Sequence, residues 1–344
     1  MGIFIWMYIL LLLIWFVCKQ IGCQESRTFE WLAGFVVLWL ILALRADNIG
    51  TDLNFYIPIF LNDNWDIFNF EKGYVVFNQY VYRFTQNQYI LLAIISFISI
   101  FPISILFRKF SKNICFSYII FSSFIIYHFT FSGLRQSMAL GIIGISYLFL
   151  VKKNLIKFLL TVLLASTFHT SSIIFLIFYP LCNWLKITNI KYFILCIAGI
   201  LIIFSLEPIL RLILPIIFGE GKYIYYIDKD IIPAYNLLIL LLIFFIFTFI
   251  VKKPSKELLN YRMASFLAVM CQSLGTISAS ATRIGYYFFI FIPLLLPQTI
   301  AESNLKKEYR IFITIGLVLF MIFFFFYTNG NGYLNVIPYS FFWE

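Results

Sequence analysis

The chain has 344 residues, 62% of them apolar and 21% aromatic, with mean hydropathy +0.96 and a formal charge of +10. Soluble globular domains hold roughly half apolar residues, so this composition excludes a water-soluble fold and defines a polytopic membrane protein. The positive charge calls for no nucleic-acid partner, because it follows from membrane topology.

Runs such as 4–18, 89–107, 115–131 and 311–327 carry almost no charge over lengths near the ~20 residues that cross ~30 Å of hydrocarbon. Lipid cannot satisfy backbone amides, so these runs are predicted helices, and the alternation of a β-barrel is missing. Residues 1–18 have no basic leader and no small-residue cleavage pattern, and read as a retained first helix. In chain order the predicted spans are 2–18, 30–45, 89–107, 114–131, 133–151, 155–168, 171–185, 192–206, 235–251, 261–281, 284–300 and 309–327. The expected fold is an all-α polytopic membrane protein of about twelve crossings, forming a single integral membrane domain over 1–344.

The loops 19–29, 108–113, 152–157, 186–191, 252–262 and 302–310 hold 17 of the 25 Lys and Arg residues. In the twelve-helix arrangement they share one side, which the positive-inside rule assigns to the cytoplasm. The other side keeps 8 basic residues and 10 of the 15 acidic ones, and both termini face outward. The segments 155–168 and 171–185 are each short for a span. They are divided at Phe168-His169-Thr170, where Thr170, Ser171 and Ser172 are suitable helix caps.

Two outer segments, 46–88 and 207–234, exceed the usual connection. Both are rich in aromatic residues, among them Tyr56, Trp65, Tyr74, Tyr80 and Tyr82 in the first, and 209–218 reads as a short interfacial helix. Aromatic faces stack on sugars, and they equally anchor a protein at the lipid interface. The six cysteines lie in predicted helices or the first inner loop and read as apolar fillers. Two histidines cannot build a histidine-rich metal site, and no phosphate-loop or dinucleotide glycine pattern occurs, so neither metal nor cofactor is expected.

Polar groups gather at the outer ends of the helices. Arg45 ends the second span, with Gly50 to turn the chain and bring Asp52 back toward it; a snorkelling arginine beside a loop cap is the plainer reading. Arg135 and Gln136 open the fifth span, where free amides and a guanidinium form an anion receptor, and no acidic residue lies near Arg135 in sequence. His169 stands at the turn between the sixth and seventh spans, suited to proton transfer near neutral pH or to a structural hydrogen bond; His128 is a weaker case. Arg283 marks a fourth boundary, beside Tyr286 and Tyr287. Several arginines without metal ligands suit a diphosphate or an acidic glycan.

From Leu44 to Pro338-Tyr339 the chain resembles the EpsG-type polysaccharide polymerases, relatives of the Wzy O-antigen and capsule polymerases. The likeness is carried by an ordered set: Arg45 with Gly50-Thr51-Asp52 and Tyr56, Glu71-Lys-Gly-Tyr74 with Asn78, Arg135 followed by Met138-Ala139, Phe168-His169, and Arg283. The resemblance implies a membrane glycosyltransferase, possessing a GT-C-like architecture in one version, that joins lipid-linked repeat units on the outer face of the bacterial cytoplasmic membrane. It implies a polyprenyl-diphosphate-linked glycan as substrate, contact with membrane lipid, and a chain-length regulator and flippase as pathway partners. Under it Arg135 and Arg283 hold the diphosphate, with Gln136, Tyr56 and Glu71 lining the substrate site. Asp52 is the first choice of base, His169 the second and Glu71 a further alternative, and Arg45 orients the carboxylate. A lipid-linked-glycan transporter and an O-antigen ligase remain open; the outer-edge position of the polar residues favours an enzyme over a transporter. Accessibility tags at positions 135 and 283 should react from outside the cell, and reaction from the cytosol would overturn the topology.

Overall fold

Each apolar run closes its own backbone hydrogen bonds, since hydrocarbon supplies no partner. The computed structural model describes residues 1–22, 24–65, 70–185, 192, 194, 197–199, 201, 235–276, 282–330 and 332–344. Among them there is no strand, only an isolated antiparallel bridge between Arg45 and Phe341. Among the described residues six helices are long and apolar enough to cross a membrane: Gly2–Ile21, Glu25–Ala43, Gln88–Phe110, Leu134–Val151, Arg283–Glu302 and Lys307–Asn329. Ile114–Ser123, Leu155–Ser166, Thr170–Asn183 and Asn236–Ile250 are apolar but shorter. The protein is therefore an all-α membrane protein. The loop 186–191, most of the span expected at 192–206, and the outer segment 207–234 with its interfacial helix lie outside the described residues.

The chain forms two compact units, one of Met1–Leu176 with Leu305–Glu344 and one of Ile177–Asn304. The first contains α1 (Gly2–Ile21), α2 (Gln24–Ala43), α3 (Leu53–Leu61), α4 (Lys72–Phe84), α5 (Gln88–Phe110), α6 (Ile114–Ser123), α7 (Ile125–Phe129), α8 (Leu134–Val151) and α9 (Leu155–Ser166), with Lys307–Asn329 added from the far end of the chain. In α1, Phe4, Met7, Tyr8, Leu11 and Cys18 turn inward at helical spacing. The outward residues are apolar too, Trp6 at 62% and Phe16 at 62% exposed, as is Phe312 at 76% in Lys307–Asn329. Apolar residues on the outside of a packed unit identify a surface that meets lipid.

Long-range hydrogen bonds fix the two ends of this unit. Arg27 at the start of α2 donates to the carbonyls of Arg108 and Ser111, and Glu30 accepts from the Cys115 amide, so the loops 19–29 and 108–113 meet. Phe110 packs edge-on to Tyr147, which brings the end of α8 and the following loop 152–157 to the same side. Lys19, Arg27, Lys112, Lys307 and Arg310 line one cavity there. We call this the basic end. At the opposite end Gln88 donates to Asp47, Thr51 bonds Ser132, the Tyr74 amide donates to Thr167, and Phe4 packs edge-on to Tyr339 near the end of the chain. Four of the predicted inner loops therefore gather at one end of this unit.

Buried hydroxyls cross-tie the helices, Trp31 to Ser104, Tyr118 to the Trp31 carbonyl and Tyr127 to the Leu38 carbonyl. Such bonds average only ~0.6 kcal/mol in a membrane bundle, so they set register while close packing supplies the stability. The predicted span 114–131 is broken at Phe124, whose φ −92°, ψ 156° is extended. Ser122 and Ser123 bond back to the Ile119 carbonyl, and His128 takes up the Ser122 carbonyl, so the broken helix leaves that acceptor satisfied. His128 is 1% exposed and also meets Asn329, which makes it a structural residue.

In the second unit Ser255 and Gln298 both bond Glu302, which joins the basic stretch 252–255 to the start of the 302–310 loop. Helix Lys256–Ser273 runs from there to Cys271, whose Cβ lies beside Gly285, so Arg283 is at the other end of this unit from Ser255. Arg262, expected in a loop, is instead inside this helix and fully buried. It bonds the hydroxyl and carbonyl of Thr248 and lies over the Phe249 ring. Its guanidinium is solvated by the neighbouring helix, which the sequence count of loop charges could not show.

Gly50 performs the turn expected of it. Its φ is +114°, and a Cβ there would lie 2.0 Å from the Phe131 carbonyl oxygen. Gly50→Ala should destabilise the protein by more than ~1 kcal/mol, measured as a lowered thermal midpoint in detergent, whereas Gly316→Ala, with open space around it, should leave the midpoint unchanged or raise it.

Candidate functional site

Segment 46–88 folds into α3 and α4 because its aromatic residues find each other. Trp65 and Tyr74 meet edge-on, and Tyr56 and Phe70 pack against Tyr74. These rings share a core with Leu91, Leu92 and Ile95 of α5 and with Leu134 and Met138 of α8. Tyr56, Trp65 and Tyr74 are thus packing groups, while Tyr80 at 61% and Phe84 at 73% face outward. α4 starts against the end of α9: at Gly73 a Cβ would lie 2.2 Å from the Thr167 hydroxyl oxygen. Only a bare backbone allows the Tyr74 amide to reach the Thr167 carbonyl at 3.3 Å.

That close approach sets Glu71, the residue before α4, between two distant segments. Arg135 Nη1 donates to Glu71 Oε2 at 2.5 Å, and its Nε donates to the Tyr56 hydroxyl at 3.0 Å. The guanidinium lies 4.9 Å from the Phe70 ring centroid. On the other carboxylate oxygen, His169 Nδ1 stands at 3.1 Å and the Thr170 amide donates at 3.1 Å. The side chains of Arg135, Glu71 and His169 are 24%, 15% and 26% exposed, a half-open arrangement.

The chemistry follows from these partners. Burial by itself raises the Glu71 pKa, but hydrogen bonds from His169 and from the Thr170 and Glu71 amides, with the Arg135 charge, outweigh it and bring it down to about 2. An ionised carboxylate only accepts, so His169 Nδ1 carries the hydrogen facing it. Nε2 of the neutral ring is then left with its lone pair, the form a general base requires. Among the described residues Arg135 makes no hydrogen bond through Nη2, which leaves that edge of the fork for an anion.

Other predicted site residues are placed differently. Arg45 does not pair with Asp52. It is fully buried, donating through Nη1 to the Leu42 carbonyl at 2.6 Å and to Ser96 Oγ at 3.4 Å, and stacks on Phe131. The bridge to Phe341, the Ala46 amide donating to the Ser340 carbonyl and the Phe342 amide donating to the Leu44 carbonyl fix its backbone and direct it inward. Asp52 stands at the start of α3, its amide donating to Ser132 Oγ and its carboxylate accepting from the Thr51 hydroxyl, with no side-chain bond to the helix amides. Arg135 has an acidic partner after all, 64 residues away. Gln136 is buried at 4% exposure beneath it. Arg283 is exposed at the end of its own unit. The Thr170 amide, just past His169, donates to Glu71. Sequence inspection missed Phe70, Ser132 and the Thr170 amide; nothing local distinguishes them.

The described residues thus form an all-helical membrane protein in which an arginine and a histidine share one carboxylate, away from the basic end of the first unit. The family model of the EpsG family matches residues 29–341, nearly the whole chain. The protein belongs to the EpsG family, a Wzy-like polysaccharide polymerase family. No match was found among curated proteins or solved structures.

Because the folded pKa of Glu71 is depressed, its contribution to stability is complete above pH 4.5 and is lost as pH falls toward 2. The thermal midpoint of the wild type should exceed that of Glu71→Gln by a constant margin above pH 5, and the margin should shrink on acidification below 4.5. A margin independent of pH would show that the carboxylate charge is not what binds Arg135 and His169.

Proposed function

We propose that the protein is a membrane glycosyltransferase that polymerises polyprenyl-diphosphate-linked oligosaccharide repeat units into O-antigen, capsular or exopolysaccharide. It works at the outer face of the bacterial cytoplasmic membrane, in a bundle of about twelve crossings with a GT-C-like architecture. The reading is supported by family membership and above all by the Arg135–Glu71–His169 arrangement at the end of the first unit remote from its basic loops. A polyprenyl diphosphate keeps its tail in hydrocarbon and its head at the interface, at the level of these groups.

In the reaction the acceptor sugar hydroxyl loses its proton to His169 Nε2 and its oxygen attacks the anomeric carbon of the donor. The bond from that carbon to the diphosphate oxygen breaks, and the polyprenyl diphosphate leaves with the electron pair. The charge growing on the leaving oxygen is met by the outer edge of Arg135, a preorganised donor of the kind worth ~3–4 kcal/mol of barrier. Glu71 holds the imidazole in its Nδ1–H form and stabilises the imidazolium once the proton has moved. His169 takes precedence over Asp52 as base in this reading, because Glu71 orients its ring, whereas the Asp52 carboxylate bonds the neighbouring Thr51 hydroxyl. Arg45 supports the backbone beneath.

Membranes carrying the wild type, given a defined lipid-linked repeat, should yield a glycan ladder. Arg135→Ala should reduce extension about 100- to 1000-fold without loss of protein from the membrane, and His169→Asn should do likewise. Wild-type-length glycan from Arg135→Ala refutes its role. In cells, loss of the gene should leave single repeats on the surface, whereas complete absence of repeats would indicate a transporter or ligase.

A further inference from the structure

The basic end of the first unit holds a second feature that polymerisation does not use. A cavity of about 720 Å³ opens there, lined by Lys19, Arg27, Lys112, Lys307 and Arg310 against a single carboxylate, Glu30. Its frame is built. Arg27 is held by the carbonyls of Arg108 and Ser111, Glu30 by the Cys115 amide at 2.8 Å, and Arg310 Nε by the Leu305 carbonyl at 3.0 Å. Lys19, Lys112 and Lys307 are exposed and make no hydrogen bond or ion pair among the described residues. Five cations around one committed carboxylate form a receptor for an anion.

The walls continue as hydrocarbon. Leu12, Trp15 and Phe16 of α1 face Ile311 and Ile315 of Lys307–Asn329 across the cavity, and Phe16, Ile311 and Ile315 are 62%, 43% and 49% exposed. A free phosphate would use the lysines and leave this apolar groove bare. An amphiphile fills both. We propose that the cavity binds an anionic phospholipid, its phosphodiester headgroup between Lys19, Lys112 and Lys307 and an acyl chain in the groove between α1 and Lys307–Asn329. Basic pockets between membrane helices recognise such headgroups. The site is at the opposite end of the unit from Glu71, so it tethers the protein to acidic lipid without touching the reaction.

The test uses the full chain in detergent and dioleoyl lipids brominated on the acyl chain, which quench a tryptophan they touch. Phosphatidylglycerol should quench more than phosphatidylcholine, and the excess should vanish in Trp15→Phe. Lys19→Gln with Lys112→Gln and Lys307→Gln should weaken phosphatidylglycerol about 100-fold, from roughly 5-fold per cation, while the three Lys→Arg changes retain it. Equal quenching by the two lipids overturns the proposal, as does displacement of phosphatidylglycerol by inorganic phosphate, which would mark a site for the free anion. If the glutamine variant fails to accumulate, the Trp15→Phe comparison, which keeps every charge, still decides. Loss of the lipid preference leaves glycan extension untouched, so this proposal and the polymerase reading fail separately.

Discussion

The carboxylate of Glu71 carries most of what makes this end of the protein a site. It accepts from an arginine that opens α8, from a histidine beyond α9 and from the amide that follows it, so three segments far apart in sequence are fastened at one point. An ion-pair network of this kind is not valuable for its net energy, since desolvation cancels much of the attraction. Its value is that removing Glu71 or Arg135 leaves a partly buried charge without its counterpart, which costs more than the pair contributes. The arrangement is therefore specific even if it is not strongly stabilising. It turns His169 to present Nε2, and it engages Arg135 through Nε and Nη1 while leaving the other edge.

The fastening depends on a base of aromatic packing. Trp65, Phe70 and Tyr74 create a small core over α5 and α8, and Gly73 lets α4 approach α9 closely enough for Glu71 to reach across. Gly50 bends the chain against Phe131 so that α3 starts at the right level. Two glycines and a cluster of rings thus position one carboxylate to within hydrogen-bond distance of a guanidinium and an imidazole.

The division of the first unit into a basic end and an end with buried or paired charge is also physical. Lysines at 19, 112 and 307 remain exposed, where headgroups and water solvate them. Arg45 in this unit, like Arg262 in the other, takes the other course and is enclosed by carbonyl and hydroxyl oxygens and an aromatic face. Both treatments satisfy the same requirement, that no cation be left in hydrocarbon without an acceptor.

Much of the architecture was legible in the sequence because hydropathy and charge act along the chain. Runs such as 89–107 and 309–327 became Gln88–Phe110 and Lys307–Asn329, and the loops 19–29, 108–113, 152–157 and 302–310 meet or face the same way as their lysines predicted. The membrane imposes these features on any chain, so they need no tertiary information. The residue types of the site were legible too, including Glu71, Arg135 and His169, since an isolated polar group beside an apolar run is visible without a structure. Their pairing was not. Arg135 looked unpaired and Arg45 looked like the partner of Asp52, because sequence shows only neighbours, whereas Glu71 lies 64 and 98 residues from the groups it binds. Likewise the break at Phe124 depends on serine hydroxyls and a histidine closing on free carbonyls. Sequence by itself determined that the chain is an all-α membrane protein and which end of the first unit is basic; only the folded chain decided which charges meet, because that choice is made by packing across segments and not by order along them.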